Sequence, residues 1–353
     1  MKKRIHEKDT DMKKKITLMI AFALIAKISI AKDLYIDYNF GVDSNVGTID
    51  RPLKTINEAL NKIDSTISQP VKLILFPGIY YIDKTIRIKS KGRFDKVNRL
   101  SIEAFYMPDD DKWNPGLMPV LLTTAKPDTN FYFVYSSVGL MVDMEHVTIK
   151  GLKFAGQPYP QIPCYPIGRE NAKYKDLEVS QCMFVGNLDA SYIQVGVLVN
   201  GSNVIIDHCV FYGCNNSAVF WKSDNGKKQN NEMKYCIIYK CKHGVWASDS
   251  DSGFIFHHNI VSKCDYFFIK NYYNEAVYSF SSSIIVENEN YTGKWTDSGF
   301  VPENYKINED KIIKDGKIDL VSVQAGENSI DKRYLQPLQG TLGFDIGAGL
   351  FKK

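Results

Sequence analysis

The chain has 353 residues, of which 44% are hydrophobic and 24% charged, and its formal net charge is +4. This composition is typical of a soluble globular protein. Because basic residues are in so small an excess, it excludes nucleic acid and an anionic membrane as principal partners.

Residues 1–31 are predicted to be a signal peptide region. Three lysines at 13–15 precede an apolar run at 16–26, and small residues follow Lys27 where a signal peptidase would cleave. We therefore expect a secreted or periplasmic protein, without a lipid-anchor cysteine. A membrane anchor is the alternative, but the run is short, and no later segment is long and apolar enough to span a bilayer. Met12 is an alternative start to Met1, because the lysines follow it.

Residues 32–353 are predicted to form one domain, which opens with a capping segment at about 33–66. The residues around Tyr35 have the pattern of a first strand, and a tight turn at 41–48 follows. A short amphipathic helix comes next, with its apolar residues at helical spacing: Ile56, Ala59, Leu60 and Ile63. The segment 71–88 then predicts a strand, a Pro-Gly turn and a second strand.

Four short phrases repeat along the middle of the chain, namely CMFVGN, CVFYGC, CIIYKC and NIVSKC. Their first residues form one column: Cys182, Cys209, Cys236 and Asn259. Five residues later a second column recurs: Asn187, Cys214, Cys241 and Cys264. The steps of 27, 27 and 23 residues in the first column indicate one structural unit stacked on the next.

The repeating unit is predicted to consist of strands. Short runs rich in Val, Ile, Phe and Tyr flank each phrase and are separated by Gly, Asn, Asp and Ser, whereas the 3.6-residue periodicity of helices is missing. Two or three short strands in about 25 residues are typical of one coil of a parallel β-helix. We expect the coils over about 71–290 and a C-terminal cap over about 291–353.

The cysteines fit this arrangement as buried, mostly free thiols. Like positions of successive coils lie about 4.8 Å apart, so a column of small apolar side chains suits an inner ladder at a tight corner. Asparagine suits the same corner, because its amide bonds the backbone of the turn. Disulfides are the alternative in an exported protein. Cys164 falls outside both columns.

The cap, the PGIY sequence at 77–80 and the coils together resemble the secreted right-handed parallel β-helix proteins of the pectate-lyase-like superfamily, which are common among polysaccharide-degrading proteins. The resemblance covers about residues 33–290. It implies an all-β, right-handed parallel β-helix with a short N-terminal capping helix that hides the exposed strand edges. It does not imply one chemistry, since this superfamily includes lyases, hydrolases, esterases, epimerases and non-catalytic adhesins.

A carbohydrate site is predicted on the strand that follows the second column. With Val219, Val245 and Phe267 taken as inward, the alternation of strand side chains predicts three outward aromatic residues: Phe220, Trp246 and Phe268. Polar residues accompany them: Lys222, Ser248, Lys270 and, from the preceding coil, Asn200. Aromatic faces stack on sugar rings and lysine pairs with uronate, so this wall predicts a polysaccharide partner. The alternative is that a neighbouring loop covers the aromatic residues.

Candidate catalytic residues lie near this wall. β-Elimination of a uronate requires a base, an acid and neutralisation of the carboxylate. Lys222 and Lys270 are candidate bases, and Asp249 and His243 are further acid–base candidates. His257 and His258 are nearby, one expected inside the coil corner and the other exposed. The predicted reaction is therefore elimination on an acidic polysaccharide by a monomeric enzyme.

A bound Ca²⁺ and two other functions remain open in the sequence. Oxygen ligands for Ca²⁺ are available in three aspartates: Asp224, Asp249 and Asp251. An ordinary polar turn explains the same residues. Two carboxylates on adjacent coils would also suit a glycoside hydrolase. A non-catalytic glycan-binding or surface protein would need the aromatic wall alone.

Overall fold

The computed structural model describes residues 31–127, 135–159, 161–222, 230–248, 253–321 and 331–352. Within these residues the chain winds through three sheets in turn and forms a parallel β-solenoid. Neighbouring strands of each sheet come from successive coils, and every pair is parallel except the last pair of the third sheet. The all-β fold with a short helix, predicted from the repeats and the opening segment, is confirmed.

Sheet 1 has ten strands. In spatial order they are β1 (Lys32–Ile36), β2 (Val71–Leu75), β5 (Leu100–Ala104), β8 (Val147–Lys150), β11 (Lys175–Ser180), β14 (Ser202–Asp207), β17 (Asn231–Lys234), β20 (Phe254–His257), β23 (Ser279–Ser281) and β27 (Asn308–Asp310). Its strands alternate between side chains in the core and polar side chains outside, as expected of a sheet with one solvated face.

Sheet 2 has eight shorter strands. They are β3 (Ile79–Ile82), β6 (Val120–Thr123), β9 (Lys153–Ala155), β12 (Met183–Val185), β15 (Val210–Tyr212), β18 (Ile237–Tyr239), β21 (Ile260–Ser262) and β24 (Ile284–Val286). The strands β12, β15, β18 and β21 are the middle of the four repeated phrases, so the sequence repeat corresponds to one coil.

Sheet 3 has nine strands. They are β4 (Ile86–Ile88), β7 (Ser137–Val142), β10 (Cys164–Gly168), β13 (Val195–Asn200), β16 (Asn216–Lys222), β19 (His243–Ala247), β22 (Tyr266–Asn271), β25 (Asn290–Thr296) and β26 (Gly299–Pro302). The pair β25–β26 is an antiparallel hairpin that ends this sheet.

Helices are short. The predicted N-terminal helix is present as α1 (Ile56–Asn61). Thr55 is its N-cap, and the Thr55 side chain accepts a hydrogen bond from Glu58 N. Ile56, Ala59 and Leu60 of α1 are buried in the core beside the terminal strands β1 and β4. Among the described residues, single-turn 3₁₀ helices lie at Pro115–Leu117 and Phe344–Ile346. Nowhere in the described ranges is there a helix of the length and apolarity that a bilayer crossing requires.

From β8 onward, one left-handed residue in each coil lies at the corner where sheet 1 ends. These residues, which we call the corner ladder, are Gly151, Gln181, His208, Tyr235, His258, Ser282 and Lys311. Backbone with positive φ is unfavourable for most side chains and is tolerated where the surrounding structure fixes it. Four members of the corner ladder come directly before the first column of the repeat, so sequence and geometry share one period.

Both cysteine columns lie inside the solenoid, as predicted. All seven cysteines, including Cys164, are free and buried. Asn259 takes the same place in the next coil, where its side chain accepts a hydrogen bond from Cys236 N and donates one to Met233 O. Asn187 differs, because it is exposed and its side chain accepts hydrogen bonds from Asp189 N and Ala190 N of its own turn.

Stacked aromatic rings fill the central coils of the core. Phe154, Phe184 and Phe211 belong to successive strands of sheet 2, with ring centroids 4.9 and 4.6 Å apart and nearly parallel planes. Each ring is fully buried. Because Phe184 has a ring on both sides, its removal leaves a cavity that neither neighbour can fill without moving a coil.

We therefore expect Phe184→Ala to lower the free energy of unfolding by about 3–5 kcal/mol, the usual loss for a buried phenylalanine. Ile255→Ala is the matched control, because Ile255 is 53% exposed on the outer face of sheet 1 and its truncation should cost about 0.5 kcal/mol or less. Denaturant titration of the three proteins measures both values. Equal losses in the two variants would contradict the stacked core.

Candidate functional site

The register of sheet 3 decides which side chains face outward after the second column. In this register Ala218 pairs with Val245, and Val245 pairs with Phe268. Each of the three lies four residues after the second-column cysteine of its coil. The sequence analysis took Val219, Val245 and Phe267 as the equivalent inward residues instead. They lie five, four and three residues after the column cysteines of their coils. A shift of one residue moves a side chain to the other face of a sheet, so the predicted outward set is wrong in part.

Phe220 and Phe268 are the residues affected. Both are fully buried in the main core, where Phe220 stacks on Phe254 at 4.1 Å and Phe268 packs against Phe280 at 5.1 Å. Neither ring can contact a ligand, so their predicted role in substrate binding is corrected. Trp246 does face outward, as predicted, and packs against the apolar cluster on the outer face of sheet 3.

Three of the four tryptophans gather on this outer face. Trp246 contacts Trp221 at 5.7 Å, Trp295 at 6.3 Å and Phe300 at 5.4 Å between ring centroids. We call these four residues the tryptophan wall. All four are partly exposed, and they come from β16, β19, β25 and β26. The predicted aromatic wall therefore exists on the predicted sheet, built mostly from other residues.

A network of neutral polar groups adjoins the tryptophan wall. Asn271 is fully buried and its Oδ1 accepts a hydrogen bond from Trp246 Nε1 at 2.7 Å. Its Nδ2 donates to Ser248 Oγ at 2.7 Å and to the hydroxyl of Tyr273, which is 52% exposed. Ser248 thus lies beside the wall, as predicted, but it positions Asn271 rather than facing solvent. These contacts fix the orientation of Trp246 and anchor the hydroxyl of the half-exposed Tyr273.

His243 lies at the other end of the wall and is fully buried. Its ring centroid is 4.1 Å from that of Phe300, its Nδ1 is 2.9 Å from Asn216 Oδ1, and its Nε2 has no hydrogen-bond partner among the described residues. Burial, together with the charge of Lys242, lowers the pKa of His243 to about 3. The imidazole is therefore neutral at ordinary pH and is enclosed by Phe300, which does not suit the predicted acid–base role.

The predicted lysines and Asn200 occupy the corner beyond the wall. The ammonium of Lys270 lies 4.5 Å from the ring centroid of Tyr305 and donates to Ala276 O at 3.4 Å, so it is not directed at Trp246. Burial lowers the pKa of Lys270, although Glu275 and Glu303 oppose the shift. Lys222 is exposed directly after Trp221. The side chain of Asn200 is buried and bonded to backbone, accepting from Lys222 N, so it links two coils.

The three aspartates predicted to bind Ca²⁺ lie outside the described residues: Asp224, Asp249 and Asp251. The catalytic role predicted for Asp249 stays a prediction for the same reason. In the part of the chain that the structure describes, no group of three or more His, Cys, Asp or Glu side chains is arranged to hold a metal ion.

The chain belongs to the family described as the right-handed beta helix region, whose profile matches residues 129–311, more than half of the sequence. The right-handed parallel β-helix expected from the repeat is thereby confirmed. No curated protein sequence matches the chain significantly.

Several solved structures share its general backbone course. One is a GH136 lacto-N-biosidase from Eubacterium ramulus, with 9% identity, a TM-score of 0.45, and coverage of 80% of this chain and 67% of that one. A rhamnogalacturonan lyase has 12% identity and a TM-score of 0.44, and the match covers 91% of this chain and 100% of that one. A pectin methylesterase from Aspergillus niger has 11% identity and a TM-score of 0.43, covering 86% and 88%. These likenesses carry no information about the chemistry of this chain.

The buried state of His243 predicts a pH dependence of stability. Its pKa is about 3 in the folded chain and about 6.5 in the unfolded chain, so the unfolded state binds the proton more tightly. Stability is therefore lost as pH falls from about 6.5 towards about 3. At pH ~4.5 the loss due to His243 should reach about 2–3 kcal/mol.

His243→Gln keeps a polar group for Asn216 and removes this titration. We expect the difference in unfolding free energy between pH ~7 and ~4.5 to be smaller in His243→Gln than in the native chain by about 2–3 kcal/mol. Denaturant titrations at both pH values measure it, and groups that titrate equally in the two proteins cancel. An unchanged difference would show that His243 is not buried as a neutral ring.

Proposed function

We propose that this protein is a secreted, carbohydrate-active β-helix protein that binds a polysaccharide along the tryptophan wall. The observation that carries the proposal is the set of three tryptophans in outward positions on β16, β19 and β25, in contact through Trp246. Indole faces are large apolar surfaces that stack on sugar rings. Successive coils repeat such positions along the solenoid, which suits a linear polymer.

The substrate class that we propose is an acidic polysaccharide. Lys222 is exposed at the end of β16, beside Trp221. Lys270 and Lys294 are partners in register one residue before Asn271 and Trp295, so they lie at the corner beyond the wall and do not face it. Cationic side chains next to an aromatic wall favour a polymer that carries carboxylates. Lys294 also pairs with Glu303 at 3.1 Å, so its charge is partly neutralised.

The reaction that we propose is β-elimination, because the adjacent carboxylates Asp207 and Glu232 suit hydrolysis poorly. Asp207 and Glu232 face outward on adjacent parallel strands of sheet 1 at diagonal positions, so about 8 Å separates their Cα atoms. Although burial raises both pKa values, hydrogen bonds from His208 and Lys352 to Asp207, and from Lys234 and His257 to Glu232, lower them overall. A hydrolase needs one carboxyl group with a raised pKa as general acid, and neither residue meets that need.

Binding to the wall is tested by Trp246→Ala with a panel of acidic and neutral polysaccharides. Loss of the central indole removes stacking area and should weaken affinity for the bound polysaccharide about tenfold. Tyr81→Ala is the control, because Tyr81 is 52% exposed on sheet 2, away from the wall, and its loss should leave affinity unchanged. Affinity electrophoresis provides the measurement, with unfolding midpoints to verify the fold. Equal affinity in all three proteins would reject the wall as the binding surface.

The reaction is tested with the same panel by following ultraviolet absorbance of the unsaturated uronate and the release of reducing ends. Elimination predicts that both rise together on acidic polymers and that neither rises on neutral ones. Reducing ends without absorbance would identify a hydrolase instead, and binding without either product would identify a glycan-binding protein. Lys222→Ala should lower affinity for acidic polymers and leave affinity for neutral ones unchanged, because Lys222 is the exposed cation beside Trp221.

A further inference from the structure

A second cluster of titratable side chains lies on the corner ladder, away from the tryptophan wall. The rings of His208, Tyr235 and His258 are stacked on successive coils, with centroids 4.8 and 4.9 Å apart. His208 Nδ1 is 2.6 Å from Asp207 Oδ1, and the other oxygen of Asp207 pairs with Lys352 at 2.8 Å. Neither His257 nor His258 lies inside the solenoid, so the expectation that one of them is internal is wrong.

Glu232, His257 and His258 form a continuous hydrogen-bonded relay. Glu232 Oε1 is 2.8 Å from His257 Nε2, and His257 Nδ1 is 2.7 Å from His258 Nδ1. A carboxylate accepts, so His257 donates from Nε2 and in its neutral form accepts at Nδ1. His258 then donates from Nδ1, and its Nε2 carries a lone pair. That nitrogen makes no hydrogen bond to the described part of the chain.

His258 lines a cleft of about 440 Å³ between the corner ladder and the C-terminal segment. The cleft combines polar groups with an apolar wall, and its lining includes Ser282, Lys311, Thr341, Leu342, Asp345 and Ile346. Its volume is within the range of small-molecule sites, and one or two sugar units fit such a space. Lys311 supplies a cation, while Asp345 and Thr341 offer acceptors for sugar hydroxyls.

We propose that this cleft is a uronate site in which Nε2 of His258 is the general base of the elimination and Lys311 pairs with the uronate carboxylate. The reaction assigned to the cleft rests on the proposed function, whereas uronate binding does not. Nε2 takes the proton from C5, the C–H electron pair forms the C4–C5 double bond, and the C4–O bond breaks. The leaving oxygen takes a proton from water and His258 returns its proton to solvent, so the reaction balances without a cofactor.

The relay makes His258 a suitable base. A proton at Nε2 creates a positive ring whose Nδ1–H points at His257, and the carboxylate of Glu232 stabilises that charge through the second imidazole. Burial and the neighbouring His257 lower the pKa of His258, which keeps the ring neutral near pH ~7. Lys234 is held by Glu232 Oε2 at 2.8 Å, so it does not occupy the oxygen that faces His257.

The chain contains a matched control for His258. His208 occupies the corner ladder, stacks on the opposite side of Tyr235 and has positive φ, but it belongs neither to the relay nor to the cleft. We expect His258→Gln to lower kcat for elimination about 10²–10⁴-fold, the usual contribution of a general base, and His208→Gln to leave it within a few-fold. Equal rates in the two variants would overturn the assignment.

Glu232→Gln tests whether Glu232 acts through the relay as a positioning residue. The base must be unprotonated, so kcat/KM should rise with pH through the pKa of His258. Without the carboxylate the imidazolium of His258 loses stabilisation. The rise of kcat/KM should therefore move to lower pH, and its plateau value should fall. An unchanged pH profile would show that the relay is structural only.

Uronate binding is tested independently of turnover with free glucuronate. In the native chain glucuronate should shift the imidazole NMR resonances of His258, and Lys311→Ala should abolish the shift while Trp246→Ala preserves it. If no polysaccharide is cleaved, the proposed reaction fails, and this titration alone decides whether the cleft is a site. Unmoved His258 resonances at saturating glucuronate would overturn the site.

Discussion

The register between coils is the constraint on which the rest of this structure depends. Each parallel strand pair fixes the next coil one strand spacing above the last, so every position of the repeat becomes a column along the solenoid. Inside, the columns hold thiols, asparagine and stacked phenylalanines such as Phe184. Outside, they place Trp221 and Trp295 in contact with Trp246 although long stretches of sequence separate the three residues. One backbone pattern therefore builds both the core and the surfaces that we assign to carbohydrate.

The fold could be predicted from sequence because the register between coils appears as a repeat of similar residues at a constant interval. The residues Cys182, Cys209 and Cys236 recur at one step, and a repeated small residue has a physical reason only where coils stack. The helix α1 could be predicted because its apolar residues have helical spacing. The course of the irregular segments could not, since a loop such as 105–119 has no period and its path depends on contacts with the distant Phe351 and Lys352.

Only the location of the site on sheet 3 could be predicted. Which side chains point outward depends on the exact register, whereas the fold does not. A slip of one residue in the alignment around Phe220 and Phe268 exchanged the inner and outer faces. Counting from Cys214, Cys241 and Cys264 with a constant offset of four would have placed Trp246 outward and Phe268 inward. The burial of His243 had no sequence signal at all, since it results from Phe300, more than fifty residues away. The corner ladder did have one, because His208, Tyr235 and His258 directly precede the first column.

The two outer surfaces differ in the kind of geometry that their backbone provides, and this explains why we assign them different roles. Sheet 3 offers extended strands, whose side chains stand in flat rows and suit the binding of a polymer. The corner ladder offers left-handed residues, and the rings of His208, Tyr235 and His258 stack there one coil apart. An acid–base relay needs such fixed, converging donors and acceptors more than it needs area. The Glu232–His257–His258 relay arises where a sheet position and a corner position adjoin, since His257 ends β20 and His258 begins the turn. In the roles that we propose, the parallel β-helix therefore uses a strand face for polymer binding and a coil corner for proton transfer.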